Sequence, residues 1–595
     1  MKFSLVLMSL VAAVRSADAG VVFVNAALTT GAGTGTSWAD AYQGRLGLEA
    51  ALTAAQPGDD LWVAQGVYAP AGANGSIMAA FALKSGVRVL GGFVGTESSE
   101  MQRDPALRVT TLTGDLKDDD ESGFPPFSDA DNVAHVVRAD GPGGSGVLDG
   151  FTITRGFASH RSPVLIDLEA GGGVMCQGAS PVIARCVLVG NRAAGEGAGI
   201  AVFGGAATID GCFFNGNRAL VGGGVSSRSG AATTVRRCRF IESFDKTGPV
   251  RGLGIHAGAG PNGDDPNPGT INVRDCEFSN ELAPKSNPDG VGIGVFGGTA
   301  QIEGCRFVRC AGVSGGGISA SNATVVVDRC LFVDNEEGGD GGGALYSFEN
   351  IDLTVTNCVF TGNDRQGGST IHAQGGGVLR LINCTVFDNG APTMTYFPLL
   401  IGNATACTIH NCIFNANKSG NPVSLPIGVK FGTGTINVAS SCIEGWNGQF
   451  LSVSTFDADP LFVNAAGADG ITGTEDDDLR LSAASPCIDR GNNGLVPAGV
   501  VFDLAGLPRF RDFTGVPDLG VGPAPVVDLG AHERVPTCPT DLNGDGATNT
   551  ADLVLLIGAF GQSVLAFAAG DLDGTGLVNT ADLVLFLGGF GVACP

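Results

Sequence analysis

Positive charge is scarce in this chain of 595 residues. Thirty-four lysines and arginines face 59 aspartates and glutamates, a formal net charge of −25. No basic block is present to displace counterions from a phosphate backbone, which excludes nucleic acid as a partner. Tryptophan and tyrosine are also scarce, with three and four residues, so ready-made stacking platforms for sugars are few. The histidines, His135, His160, His256, His372, His410 and His532, lack the close pairing with cysteines that a zinc site needs. Beyond the N-terminus no apolar run reaches the ~18 residues of a membrane span. The 95 glycines follow no G-x-y period, which excludes a collagen triple helix.

The hydrophobic share of 44% is enough to build a core and argues against global disorder. Lys2, an apolar stretch over residues 3–14 and the A-x-A site Ala17-Asp18-Ala19 predict a signal peptide over residues 1–19, with a mature chain starting at Gly20. Sixteen cysteines suit an oxidising compartment. The expected location is therefore secreted, in the extracellular medium or on the cell surface, with no transmembrane segment in the mature chain.

A repeat dominates residues 170–450. Cysteines recur at Cys186, Cys212, Cys238, Cys276, Cys305, Cys330, Cys358, Cys384, Cys412 and Cys442, 25 to 38 residues apart. Two positions later stand Leu188, Phe214, Phe240, Phe278, Phe307, Phe332, Phe360, Val386 and Phe414. Five positions after the cysteine stand Asn191, Asn217, Asn335, Asn363, Asn389, Asn417 and Asn447, and glycine runs such as 222–224 and 315–317 follow. Residues i and i+2 of a strand share a face, so Cys and Phe both point inward. Asn tolerates the left-handed conformation that ends a short strand, and stacked Asn side chains can bond along the stack. Glycine supplies positive φ at the other corners. A unit of this length cannot bury its own apolar face, so it must stack into a solenoid. About 26 residues suits three short strands and three turns, with coils ~4.8 Å apart. A β-propeller is excluded because its blades need about 40 to 50 residues. The cysteines read as a ladder of small apolar side chains, and the Gly-, Pro- and Asp-rich segment 247–268 reads as a loop bulging from one coil.

This pattern resembles the right-handed parallel β-helix of the pectin-lyase-like superfamily, over roughly residues 20–490. Val147-Leu-Asp-Gly-Phe-Thr-Ile-Thr154 looks like an early coil. The opening, with Val24-Asn25, Gly35-Thr-Ser-Trp38 and the stretch 54–68, is similar to the start of bacterial secreted β-helix proteins. There a strand and a helix, here around residues 46–55, cap the open end of the stack, where strand edges would otherwise be bare. Asp459-Pro-Leu-Phe462, Asp478-Leu-Arg-Leu481, Ser485-Pro-Cys-Ile-Asp489 and Asp528-Leu-Gly-Ala-His-Glu533 resemble the choice-of-anchor Q segment that closes many such proteins. The acidic stretch 469–478 reads as a solvated loop rather than a calcium site.

The last 58 residues carry the sharpest signal. One 12-residue loop offers Asp541, Asn543, Asp545, Ala547, Asn549 and Asp552 at positions 1, 3, 5, 7, 9 and 12, and a second offers Asp571, Asp573, Thr575, Leu577, Asn579 and Asp582. Calcium takes six to eight oxygens from such a loop, with position 7 giving its carbonyl and a glycine at position 6, here Gly546 and Gly576, making the turn. Thr575 stands where a carboxylate is usual, so the second loop is expected to bind more weakly. An apolar helix should follow each loop. Two loops with Asp at position 12, each leading into one helix, resemble a dockerin type I module. The resemblance implies termini close enough for a Cys538–Cys594 disulfide. It also implies a cohesin-like or surface-attachment partner read by Thr550, Ala551, Thr580 and Ala581. The usual basic residues on the helices are replaced by Ile557-Gly-Ala-Phe560 and Leu587-Gly-Gly-Phe590, which speaks against a standard cohesin and for a sorting or attachment role.

The expected architecture is an all-β parallel β-helix solenoid with an N-terminal cap, plus a small α-helical calcium-binding dockerin-like domain. The boundaries read 1–19 signal peptide, 20–135 cap and first coils, 136–456 repeats, 457–535 closing segment and 536–595 calcium module. Two functions compete. One is a polysaccharide lyase or glycoside hydrolase, as the superfamily implies. The other is a non-catalytic surface protein that binds polysaccharide along the helix. Asp328, Asp334, Asp340 and Asp388 are scattered, and Arg237, Arg306 and Arg329 merely flank inward cysteines. No catalytic set emerges from these residues, so the second reading is preferred, with calcium as the cofactor of the C-terminal module.

Overall fold

The computed structural model describes the chain except for residues 1–19, 121–128, 160–168, 242–253, 259–264, 266, 280–291, 313–314, 338–340, 366–367, 391–396, 404, 419–426, 430–432, 449, 512–515, 535–539, 544–546, 565–569, 574 and 593–595. The signal peptide, His160, Asp340, Asp545 and the Cys538–Cys594 pair lie outside the described residues.

Short parallel strands stack into three long sheets of 16, 13 and 12 strands, one strand per sheet in each full coil. A single coil shows why. Thr324–Asp328 belongs to the 16-stranded sheet, Arg329 turns the corner at φ 51°, and Cys330 leads into Leu331–Val333 of the 13-stranded sheet. Asp334 turns at φ 52°, Asn335 follows, and Gly342–Phe348 joins the 12-stranded sheet. Within each strand alternate residues face in, so apolar rows run along the stack: Ile302, Val327, Val355, Leu381 and Ile409 are in register and buried.

The Phe column forms as the spacing predicts. Phe214, Phe240, Phe278, Phe307, Phe332 and Phe360 stack face to face at centroid separations of 4.5 to 4.9 Å. That separation is the coil spacing itself, so strand pairing and ring stacking reinforce each other. The last glycines of the runs 222–224 and 315–317 are dictated by this column. A Cβ on Gly317 would stand 2.5 Å from the Ala344 carbonyl oxygen and 3.0 Å from the Phe332 ring. Positive φ is instead the task of glycines such as Gly315, at 82°.

The Asn ladder is present, but its backbone differs from expectation. The left-handed residue is the one before the asparagine: Gly190, Gly216, Asp334, Gly362, Asp388 and Ala416. The asparagine itself is buried and bonds along the stack: Asn335 Nδ2 donates to Asn363 Oδ1 at 2.8 Å, and Asn191 Nδ2 to Asn217 Oδ1 at 3.0 Å. Turning the corner one residue earlier points the amide inward, where it satisfies buried backbone carbonyls.

The cysteine column holds nine rungs rather than ten, from Cys186 to Cys412. All nine are buried free thiols, and neighbouring rungs bond, as where the Cys330 amide donates to Cys358 Sγ at 3.3 Å. Cys442 breaks the column. The register pairs it with Ile413, one residue past Cys412, so it faces outward beside Cys487. Ser441 takes the tenth rung and accepts from the Cys412 amide at 3.1 Å. Asn447, five residues after Cys442, is exposed rather than buried in the ladder. The segment 247–268 is also corrected: Ile255–Gly258 within it is a strand of the 12-stranded sheet.

At the N-terminal end Val21–Asn25 pairs with Asp60–Ala64, and helix α1 (Gly47–Ala54) buries Leu48, Ala51 and Leu52 over the first coil. The segment 457–534 does not sit on the opposite end alone. It folds back along the outer flank of the 13-stranded sheet, where Leu479, Leu504 and Ala531 pack on the outward side chains Val359 and Phe387. Ala531 N donates to Thr385 Oγ1 at 3.0 Å. Its motif residues form a buried knot. The Arg509 guanidinium is 3.1 Å from Glu533 and donates to the carbonyls of Asp528 and Gly530. Among the described residues no helix is long and apolar enough to cross a membrane.

Candidate metal centre and binding face

Two loop–helix units follow the closing segment. Helix α2 (Thr550–Ala559) and helix α3 (Thr580–Gly589) each begin at an asparagine N-cap, Asn549 and Asn579, whose side chain accepts from the amide two residues on. Leu556, Phe586, Val578 and Leu542 form their shared small core. The units clasp each other reciprocally. Gly561 N donates to the Val578 carbonyl at 2.7 Å, and Gly591 N donates to the Thr548 carbonyl at 2.8 Å. Each chain segment leaving one helix thus pairs with the other unit's loop.

Position 12 of each loop is tied to the backbone around it. Asp552 is buried and accepts from the amides of Asn543 and Asn549, both at 2.8 Å. Asp582 is buried and accepts from Leu572, Asp573 and Asn579 at 2.7 to 3.1 Å. Each carboxylate both closes its loop and caps its helix, in the reciprocal capping box. In the second loop Asp571, Asp573 and Asp582 each bring an oxygen within 4.8 Å of the others, and Gly576 makes the turn at φ 76°. This all-oxygen set fits a hard divalent cation. Thr575 Oγ1 donates to Asp573 at 2.7 Å, and this bond holds the Asp573 carboxyl below its ordinary value. The position-7 carbonyls of Ala547 and Leu577 accept from Asn549 and Asn579. In the first loop Asp541 is buried with Arg511 at 3.7 Å. Thr550, Ala551, Thr580 and Ala581 are exposed at the two helix starts, as a partner-reading role requires.

Among the described residues, the coil aspartates and arginines that the sequence singled out do not gather in one place. Arg237 pairs with Asp210 at 2.6 Å, Arg306 with Glu475 at 2.6 Å, and Arg329 with Glu303 and Asp328. Asp388 is buried between Arg365 and Lys418. Burial lifts the Asp334 carboxyl above its ordinary value. The acidic stretch 469–478 is tied down rather than free: Asp477 accepts from Thr361 Oγ1 at 3.0 Å, and burial pushes its carboxyl up to about 6.

Sequence reasoning missed an aromatic band on the outer face of the 12-stranded sheet. Phe203, Phe296 and Phe348 occupy the same outward row in different coils and are partly exposed. His256 lies 5.5 Å from Phe296, Phe296 6.2 Å from Phe348, Phe348 5.3 Å from Tyr346, and Tyr346 5.4 Å from His372. Gln374 Nε2 donates to the Tyr346 hydroxyl at 2.8 Å. Below them Arg228 lies over the Phe203 ring at 4.3 Å and pairs with buried Glu196 at 2.9 Å. The available signal was a Phe three residues after the inward Ile or Leu that follows a glycine run, as in Ile200-Ala-Val-Phe203 and Ile293-Gly-Val-Phe296.

A protein-family model described as a right handed beta helix region matches residues 166–414 and 267–464. No curated protein matches the chain. Among solved structures, pectate lyase Pel9A is similar over 87% of this chain and 96% of its own, at 15% identity and a TM-score of 0.38. PfbA, a surface adhesin of Streptococcus pneumoniae, is similar over 66% of this chain and 86% of its own, at 11% identity and a TM-score of 0.32.

Proposed function

Because the chain belongs to the right-handed β-helix family over residues 166–464, we propose that it is an exported, surface-associated protein that binds polysaccharide along its coils and is attached through its calcium-dependent C-terminal loops. The observation that carries this reading is the aromatic band of Phe203, Phe296, Tyr346 and Phe348. Aromatic faces offer flat apolar area at little entropic cost, and Tyr346 and Gln374 add polar groups beside them. A pyranose ring presents an apolar C–H face to such a surface and hydroxyls to its rim. The net charge of −25 disfavours polyuronates, and the one cation in the band, Arg228, is already matched by Glu196. The ligand class is therefore a neutral polysaccharide. Binding rather than cleavage is favoured, since Arg237 and Arg329, which flank the inward cysteines, are held in ion pairs.

At the C-terminus, the two loops would hold calcium through their carboxylates. The ion would supply positive charge to stiffen each loop against its helix. Asp552 and Asp582 fix the loop and helix starts through their backbone bonds, which holds Thr550, Ala551, Thr580 and Ala581 in place for a cohesin-like or other surface partner.

The test is affinity electrophoresis of the full chain in gels containing neutral glucans, mannans or xylans, beside polygalacturonate with and without calcium. Retardation by a neutral polymer, abolished by Phe296→Ala with Tyr346→Ala, is the expected result. Equal mobility in every neutral gel, or release of new reducing or unsaturated ends, would overturn the reading.

A further inference from the structure

A second carboxylate group lies far from the C-terminal loops, at the turn after the early strand Thr110–Thr113. The register places Thr113 beside Thr154 and Val189, so Asp115 stands in the row that Asn191 occupies. Asp115, Asp119 and Asp131 each bring an oxygen within 4.8 Å of the others. An antiparallel bridge sets Asn132 opposite Asp115. Asp115 accepts from the amides of Lys117, Asp118 and Asp120 at 3.1, 2.6 and 3.2 Å. Asp131 accepts from Lys117 N at 3.1 Å through Oδ2.

The independent observation concerns oxygens. Asp131 is 6% exposed and Asn132 2%, and the Asp120 side chain is 1% exposed. Each keeps one buried oxygen, Asp131 Oδ1, Asn132 Oδ1 and Asp120 Oδ1, without a hydrogen-bond donor. Asp131 is itself a member of the group, and Asn132 Nδ2 donates to Asp120 Oδ2 at 2.9 Å, so the three orphaned acceptors belong to one place. Buried acceptors without donors are costly, and buried carboxylates are normally paired or bound to metal. Among the described residues three cations stand nearby and none hydrogen-bonds the three orphaned oxygens; Arg45 donates to the Asp115 carbonyl and lies 3.9 Å from Asp118. Lys117 Nζ stands 3.6 Å from Asp131 Oδ1 and is half exposed, while Arg155 stands 3.7 Å from Asp120 Oδ2.

We propose that Asp115, Asp119, Asp120, Asp131 and Asn132 form a calcium site built into the first coils, independent of the C-terminal loops. The set is all oxygen, with no nitrogen or sulfur donor, which selects a hard cation. Five protein oxygens plus water complete a calcium shell, whereas magnesium prefers to keep most of its waters.

The test is equilibrium dialysis of chelator-stripped full-length protein against calcium, with metal read by mass spectrometry. The loop-disabled variant Asp552→Asn with Asp582→Asn should retain one tightly held calcium. Adding Asp119→Asn and Asp131→Asn should abolish it. Asp119 is exposed, so Asp119→Asn alone folds and should weaken this calcium by at least about tenfold through lost ligand charge. Lys117→Met removes the competing ammonium and should tighten it. A loop-disabled chain that binds no calcium, or a folded Asp119→Asn and Asp131→Asn variant that keeps it, overturns the proposal. Failure of the C-terminal reading is a separate outcome: the unmodified chain would then bind one calcium only, and that one would be lost with Asp119 and Asp131.

Discussion

Asn363 donates from Nδ2 to Asn389 Oδ1 at 2.9 Å while accepting at its own Oδ1 from Asn335 Nδ2 at 2.8 Å. It also accepts from the Asn335 amide and donates to the Phe332 carbonyl at 3.0 Å. Both ends of one fully buried amide are therefore used, and three coils are linked through it. Asn363→Ala strands the Asn335 amide and the Phe332 carbonyl away from water. Each orphaned group costs about 1–3 kcal/mol, so a loss of roughly 2–6 kcal/mol is expected in urea unfolding of the coil stack. A midpoint within error of the unmodified protein would show that the ladder contributes nothing.

The Phe column predicts two costs of opposite origin. Phe332→Ala leaves a cavity between Phe307 and Phe360 and should destabilise by about 3–5 kcal/mol. Gly317→Ala overfills the same place, with its new Cβ against the Ala344 carbonyl and the Phe332 ring, and should cost about 1–3 kcal/mol. Combining the two should cost less than their sum if the ring is the obstacle, because the truncated side chain makes room. Strict additivity in a double-mutant cycle would place the strain at the carbonyl instead.

The coil stack was legible because its signal is repeated. A Phe, Leu or Val two residues after nine of the ten cysteines fixes the inward face, and any one ambiguous coil is settled by its neighbours. What the repeat could not reveal was a one-residue slip. Cys442 looks like a tenth rung, yet Ser441 fills that rung because a hydroxyl can accept the Cys412 amide as a thiol does. The left-handed corner was misplaced by one residue because Asp334 and Asp388 can turn it as readily as glycine. The aromatic band escaped notice because its rings come from coils 52 to 93 residues apart in sequence, Phe203 to Phe296 and Phe296 to Phe348, and only the register brings them into one row. The early carboxylate group was equally hidden, since Asp115 and Asp131 come together from positions whose spacing matches no calcium-loop motif.

The C-terminal loops predict unequal responses to metal removal. Asp582 accepts three backbone amides and Asp552 two, so both loops hold their shape in part without an ion. Thr575 spends its hydroxyl on Asp573 instead of adding a carboxylate. Chelation should lower the melting temperature of the small core around Leu556 and Phe586. Asp552→Asn should abolish the tighter of two calcium-binding steps in calorimetry and Asp582→Asn the weaker. The reverse order would show that the carboxylate at position 5 does not set the affinity.

The buried knot of the closing segment predicts a pH dependence with a definite sign. Asp503 and Asp528 are buried near Arg509, and burial pushes both carboxyls up to about 6 from an ordinary 3.8. A carboxyl raised in the folded state favours folding when protonated. Its contribution is full below about 3.8 and is lost as pH rises through about 6. Asp503→Asn removes that titration; its single amide oxygen can replace only one of the two carboxylate oxygens that accept from the Leu507 amide (Oδ1, 2.8 Å) and the Glu533 amide (Oδ2, 2.9 Å), a cost that does not change with pH and so leaves the slope readable. His532 moves the other way, down to about 4 from 6.5, so its contribution is held above 6.5 and lost as pH falls through 4. It is present in both proteins and cancels in their difference. The unmodified chain should therefore gain on Asp503→Asn between about pH 7.5 and pH 5 by on the order of 1–1.5 kcal/mol, the value of about one pKa unit, with the remaining gain falling below pH 5. Unfolding free energies that run parallel across that range would mean that Asp503 titrates in the fold as it does in water. The knot would then be wetter than its packing around Arg509 implies.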